Sequence, residues 1–189
     1  MNKPKIALLI DLASLRVSCE GFKKLLAEIE QTYEVAFVKF YSYVAKRNRD
    51  FNEFIAAKGY DAVTPIASRR RNKLDSRQII DGTKISMNST LDAVAFAVGE
   101  GDILPIVTEL KETGKDVVEI GVEQGAYSDA FNAFIPVNAA YLREGYAAPT
   151  KKIEKKAPKK VVAPKTENSY VGEINKVFEG RSILAKYKK

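Results

Sequence analysis

The sequence predicts an α/β fold, a mainly parallel sheet with helices on both faces. Short apolar or β-branched runs alternate with stretches whose apolar residues recur at helical spacing, and the connections are long enough for crossovers. A further observation marks the functional edge. Two of the runs end in acids, residues 6–10 at Asp11 and residues 91–98 at the turn Gly99-Glu100-Gly101-Asp102. In open α/β sheets, ligands sit outside the carboxyl ends of the strands.

Residues 5–10 read as a buried first strand. Residues 21–31 place Phe22, Leu25, Leu26 and Ile29 at helical spacing. Residues 34–44, rich in β-branched and aromatic side chains, read as a second strand. A helix over 50–57 presents Phe51, Phe54 and Ile55, with Asp50 as its N-cap and Gly59 as its stop. Residues 61–67 give a third strand with Pro65 near its end, followed by a basic loop over 68–73. The next helix covers 75–87, with Ile79, Ile80 and Ile85 facing the core. Residues 91–98 form a fourth strand, 103–112 a helix ended by Gly114, and 116–122 a fifth strand. A short helix over 127–132, a sixth strand over 134–137 and a closing helix over 138–144 complete the pattern.

Residues 1–146 thus form the folded domain. Residues 147–169 are dominated by Lys, Pro and Ala, the composition of a solvated linker. Residues 170–189 form a short basic segment in which Ile174, Val177, Phe178 and Leu184 line one side of an amphipathic helix.

Composition narrows the chemistry. The 189 residues are 46% hydrophobic and 29% charged, as in a soluble globular protein. No apolar run approaches the roughly 18 residues of a membrane span, and the apolar start is too short for a signal peptide. With one cysteine, Cys19, there is no internal disulfide, and a cytoplasmic location is expected. The absence of histidine removes serine-triad, cysteine–histidine and histidine-base mechanisms. Carboxylates or lysines remain, with or without a metal. The net charge of +7 lies in the tail: residues 149–189 carry 12 Lys/Arg against 4 Asp/Glu, and residues 1–148 carry 19 against 20. A basic tail suits nucleic acid or a protein partner, and serves solubility equally well.

Strand ends of a parallel sheet share one rim. That rim should hold Asp11 after the first strand and Glu100 and Asp102 after the fourth, with Asp75 nearby at the start of a helix. Asp81 lies six residues after Asp75, about 240° around the helix, and reaches the rim only if the helix crosses it. Clustered carboxylates repel one another unless a cation compensates. Mg²⁺ or Mn²⁺ meets that need with hard oxygen ligands, and could activate water at a phosphodiester. The plainer reading is that such acids cap the helices that follow them. Arg69, Arg70, Arg71, Lys73 and Arg77 beside Asp75, and Lys46, Arg47 and Arg49 after the second strand, suit phosphate contacts or a solvated loop.

In order and spacing, several motifs resemble the NYN domain: Ile10-Asp11, Lys73-Leu74-Asp75 with Asp81, Val98 to Pro105, Gly114-Lys115-Asp116-Val117, and Tyr127-Ser128-Asp129-Ala130-Phe131. The resemblance covers about residues 4–143 and is nearest the bacterial LabA-like branch. It implies a PIN-like α/β/α sandwich and a metal-dependent endoribonuclease acting on RNA. Asp11, Asp75, Asp81, Glu100 and Asp102 match its acidic positions for Mg²⁺ or Mn²⁺; Asp11, Asp75, Glu100 and Asp102 would serve catalysis. The chain differs from the family pattern at Ser14, where an Asn is usual, and in having Val98-Gly99-Glu100-Gly101-Asp102 for Ser-Gly-Asp-Ser-Asp. Ser14, Arg47, Arg69, Arg70, Arg71, Lys73 and Arg77 form the expected RNA-facing set, and the chain could pair as a homodimer. The altered acidic motif keeps a second reading open, a non-catalytic module that binds RNA or protein. A phospho-acceptor reading of Asp11 is weaker, because Ala13 stands where a phosphatase of that type carries its second acid.

Overall fold

The computed structural model describes residues 3–66, 73–98 and 101–144. Within these, six strands form one all-parallel sheet: β1 (Lys5–Asp11), β2 (Glu34–Tyr41), β3 (Asp61–Ala62), β4 (Ala93–Ala97), β5 (Asp116–Gly121) and β6 (Ala133–Pro136). Their order is β3-β2-β1-β4-β5-β6. The helices are α1 (Leu12–Leu15), α2 (Cys19–Thr32), α3 (Arg49–Lys58), α4 (Ser76–Ser86) and α5 (Leu104–Glu112). None is long and apolar enough to cross a membrane.

Strand periodicity sorts the core into two layers. Ile6, Leu8 and Ile10 pack with Phe22, Leu25, Leu26 and Ile29 of α2 and Phe51 of α3. Ala7 and Leu9 pack on the other face with Tyr41, Phe96, Ile85 of α4, and Ile106, Val107 and Leu110 of α5. The predicted α/β/α sandwich is therefore the observed one. β1 and β4 are buried on both faces, which is why they read as continuous apolar runs rather than as alternation. From β1 the chain winds outward through β2 and β3, then returns to β4 on the other side of β1. The winding direction reverses between β1 and β4, so their carboxyl ends flank the crevice where such sheets bind ligands.

Several elements depart from the sequence expectation. The third strand has two residues. It is an edge strand, and Pro65 brings no N–H to extend the ladder past Val63, whose N–H reaches Phe40 O at 2.8 Å. The helices expected over 127–132 and 138–144 are single 3-10 turns, Ser128–Ala130 and Ala139–Tyr141. The closing turn ends because the chain beyond it pairs sideways: Leu142 forms an antiparallel bridge with Val17, and Arg143 N donates to Arg16 O. α3 starts at Arg49, before Asp50, whose carboxylate instead accepts from Cys19 N and Arg143 Nη2. Ile80 is 53% exposed rather than in the core. The buried positions of α4 are Gln78, Gly82, Ile85 and Ser86, so a glutamine holds a place the pattern assigns to an apolar residue. Residues 68–72 of the basic loop, residues 99–100, the linker and the basic segment lie outside the described residues.

Candidate active site at the ends of the central strands

Asp11 is the last residue of β1 and is fully buried. It is also the N-cap of α1: its Oδ1 accepts Ala13 N at 3.0 Å, and Oδ2 accepts the Ser14 hydroxyl at 2.8 Å. Ser14, expected among RNA-facing residues, thus orients the central carboxylate. Asp102 follows β4 in an exposed position, and its Oδ1 accepts Leu104 N at 3.0 Å, leading the chain into α5. Capping does not exhaust either carboxylate, since each has further lone pairs.

α4 covers the crevice from one face. Gln78 is fully buried, and its Nε2 donates to Leu9 O of β1 and Ala97 O of β4, both at 3.3 Å. It straddles the two central strands near their carboxyl ends. Its Oε1 is buried without a hydrogen-bond partner, an arrangement that costs about 1–3 kcal/mol unless something else supplies a donor or cation. Gly82 allows this close seating of α4; a Cβ there would lie 2.6 Å from Ile106 Cγ1. A similar constraint acts at Gly101, where a Cβ would lie 2.6 Å from Leu74 Cβ. The Ser-to-Gly difference from the family motif thus lets the β4 turn press against the residue preceding Asp75.

Asp75 is fully buried and caps α4, its Oδ1 accepting Arg77 N at 3.1 Å. The Arg77 guanidinium also grips both carboxylate oxygens, Nε to Oδ1 at 3.0 Å and Nη2 to Oδ2 at 2.6 Å, while Nη2 reaches Thr64 O at 2.7 Å. That two-pronged bond holds the Arg77 pKa above its usual value. Asp81 does not face the strand-end crevice as a bare acid. It accepts the Tyr41 hydroxyl at 2.6 Å and pairs with Lys39 Nζ at 2.8 Å. Burial opposes its ionisation, but the bonds from Lys39 and Tyr41 outweigh that and leave its pKa below the usual carboxylate value. Burial, then the bond to Asp81, drive the Tyr41 pKa far up, so its hydroxyl stays a donor.

The sequence expectation joined Asp75 and Asp81 to the acids at the strand ends. The structure instead gives each a protein cation, Arg77 and Lys39. Among the described residues no three acids converge closely enough to hold a metal ion; Glu100 lies outside them. The chemistry of the donors suits a hard divalent cation in kind: Asp11 closes β1, Asp102 follows β4, and the Oε1 of Gln78, whose Nε2 bridges the two strands, is buried without a hydrogen-bond partner. Of the expected RNA-facing residues, Arg47 and Lys73 are exposed, Arg77 is partly covered by its pairing, and Arg69, Arg70 and Arg71 are not among the described residues. Sequence reasoning passed over Gln78 and Lys39. A polar residue one turn beyond the Asp75 cap, at a core position of α4, was the available signal for Gln78.

The NYN-domain family matches residues 5–138, which span all six strands and both acidic strand ends. The chain belongs to the NYN domain family. This is a PIN-like family associated with ribonucleases. An uncharacterized protein of Methanocaldococcus jannaschii is 35% identical over 52 residues, covering 28% of this chain and 22% of that protein. The NYN chain therefore spans about a fifth of the curated relative it matches. Among solved structures, a Thermotoga maritima oxidoreductase matches with 13% identity and a TM-score of 0.35, over 67% of this chain and 32% of that one; so distant a likeness carries no argument.

Proposed function

We propose that this NYN domain is a divalent-metal-dependent endoribonuclease, of the LabA-like bacterial branch and cytoplasmic. The observation that carries the reading is the placement of Asp11 and Asp102 at the ends of the two central strands, on either side of the point where the winding reverses. Asp11, Glu100 and Asp102 would hold Mg²⁺ or Mn²⁺, with Asp75 joining them when free of Arg77. When bound, such an ion supplies water activation and neutralises phosphate charge. The protein's own contribution is preorganisation. Ser14 and Ala13 N fix the Asp11 carboxylate, Gln78 ties β1 to β4, and the buried setting strengthens each charge contact. Exposed Arg47 and Lys73, with Arg69, Arg70 and Arg71, would position RNA through its phosphates. Diffraction from crystals soaked in Mn²⁺ tests the site: anomalous density between Asp11 and Asp102 supports it, and density only elsewhere opposes it.

A second reading, a non-catalytic RNA-binding module, is favoured by one observation: Asp75 and Asp81 are already neutralised by Arg77 and Lys39. It requires RNA binding that is indifferent to chelation and is not followed by cleavage. The basic tail, as an RNA or protein contact, fits either reading.

A further inference from the structure

Resting on the reading of Arg47 as an RNA phosphate contact, we infer that Arg143 is the residue that positions it, acting through the Arg47 carbonyl. Arg143 lies beyond the residues that the NYN family matches, in the segment that closes the fold. That segment is fastened to the start of α2. Ser18 N donates to Tyr141 O at 2.9 Å, Leu142 bridges Val17, and Arg143 N donates to Arg16 O at 3.0 Å. Held in this way, the Arg143 guanidinium reaches three segments at once. Nε donates to Val17 O at 3.2 Å, Nη1 to Arg47 O at 2.9 Å and Nη2 to Asp50 Oδ1 at 2.9 Å, with the Phe51 ring beside it. Val17 follows α1, which Asp11 caps, and Arg47 belongs to the turn after β2, whose last residue, Tyr41, is the register partner of Asp11. The fork therefore spans the two loops that leave the ends of β1 and β2.

The turn it holds is closed on itself. Buried Asn48 accepts Val44 N on its Oδ1 at 2.9 Å, and Arg47 N and Asn48 N both donate to Val44 O at 2.8 Å. Arg143 fixes this unit against the loop after β1 and leaves the Arg47 side chain exposed. A cation whose main chain is pinned beforehand loses less freedom when it meets a phosphate, which favours binding. Asp50 keeps the fork in place, because its second oxygen accepts Cys19 N at 2.8 Å and cannot swing away without losing that bond. A lysine could not substitute, since an ammonium donates from one point and cannot span acceptors on three segments.

Binding of a fluorescein-labelled single-stranded oligouridine to the full-length chain, in EDTA so that neither metal nor cleavage enters, tests the assignment. Arg143→Lys keeps the charge but not the fork. It should weaken binding by about threefold to tenfold, as Arg47→Ala does, and flatten the slope of log affinity against log salt by about 0.7, the share of one phosphate contact. In the Arg47→Ala background, Arg143→Lys should add less than about a twofold loss, because no contact is left to position. A general weakening of the fold would not depend on Arg47. Unchanged affinity in Arg143→Lys, an equal loss with and without Arg47, or no loss in Arg47→Ala would each overturn the positioning role while leaving RNA binding intact. Absence of binding by wild type would overturn the RNA reading as well. Should Arg143→Lys not fold, Asp50→Asn, which leaves one oxygen to serve both Cys19 N and Arg143, should show the same Arg47-dependent loss, and its absence would refute the proposal.

Discussion

Individual residues at the crevice do two jobs each, and their energetics separate the jobs. Gln78 satisfies two strand carbonyls while leaving its own oxygen unpaired. Gln78→Ala should destabilise the domain by about 1–3 kcal/mol, the range for buried partners left unsatisfied, read as a shift in urea midpoint at unchanged slope. A midpoint shift near zero would mean that the amide does not tie β1 to β4. Asp81 gives a pH signature. Its folded pKa is depressed, so the stability it contributes is present above the unfolded value of about 3.9 and is lost as pH falls through its lower folded value. Asp81→Asn should accordingly lower Tm at pH 7 and narrow the gap to wild type as the buffer is taken below pH 3. A double-mutant cycle with Lys39→Met should give a coupling of about 0.5–3 kcal/mol at pH 7; a zero coupling would dismiss the pair.

At the scale of elements, close approaches decide how the site is held. α2 lies on the Ala139–Tyr141 turn so tightly that a Cβ at Gly21 would sit 2.1 Å from the Tyr141 carbonyl oxygen, and Ser18 N also donates to that oxygen at 2.9 Å. Backbone cannot retreat as a side-chain tip can, so Gly21→Ala should cost at least about 1–3 kcal/mol, measured as a fall in Tm. An unchanged Tm would show that the turn moves freely against α2. Most elements were legible in the sequence because their signals are local. The apolar run ending in Asp11 gave β1, and Phe22, Leu25, Leu26 and Ile29 gave α2. What escaped depends on partners distant in sequence. The closing turn stops at Tyr141 because Val17 captures Leu142, and Asp50 serves Arg143 and Cys19 rather than its own helix. Asp11 was readable for the same local reason, as the end of β1. The charge balance at Asp81 was not, since Lys39 and Asp81 lie 42 residues apart in the chain.

For the whole molecule, charge and topology divide the labour. The folded domain is close to neutral, whereas residues 149–189 hold the excess of Lys and Arg. Deleting that segment should weaken binding to single-stranded RNA and make its dependence on salt concentration shallower, because fewer counterions are released. Identical salt slopes with and without it would remove the tail from the binding surface. The all-parallel order β3-β2-β1-β4-β5-β6 sets β1, which Asp11 closes, beside β4, which Asp102 follows, and that placement is the basis for proposing that this NYN domain is a nuclease. Incubating the full-length protein with end-labelled single-stranded RNA and Mn²⁺, beside Asp11→Asn at matched folding by circular dichroism, tests it most directly. Wild type should cut the RNA, and Asp11→Asn should lose more than the roughly 10–100-fold that changes around a metal's ligands cost. Cleavage that continued undiminished in Asp11→Asn, or no cleavage by wild type with Mn²⁺ bound, would contradict the account.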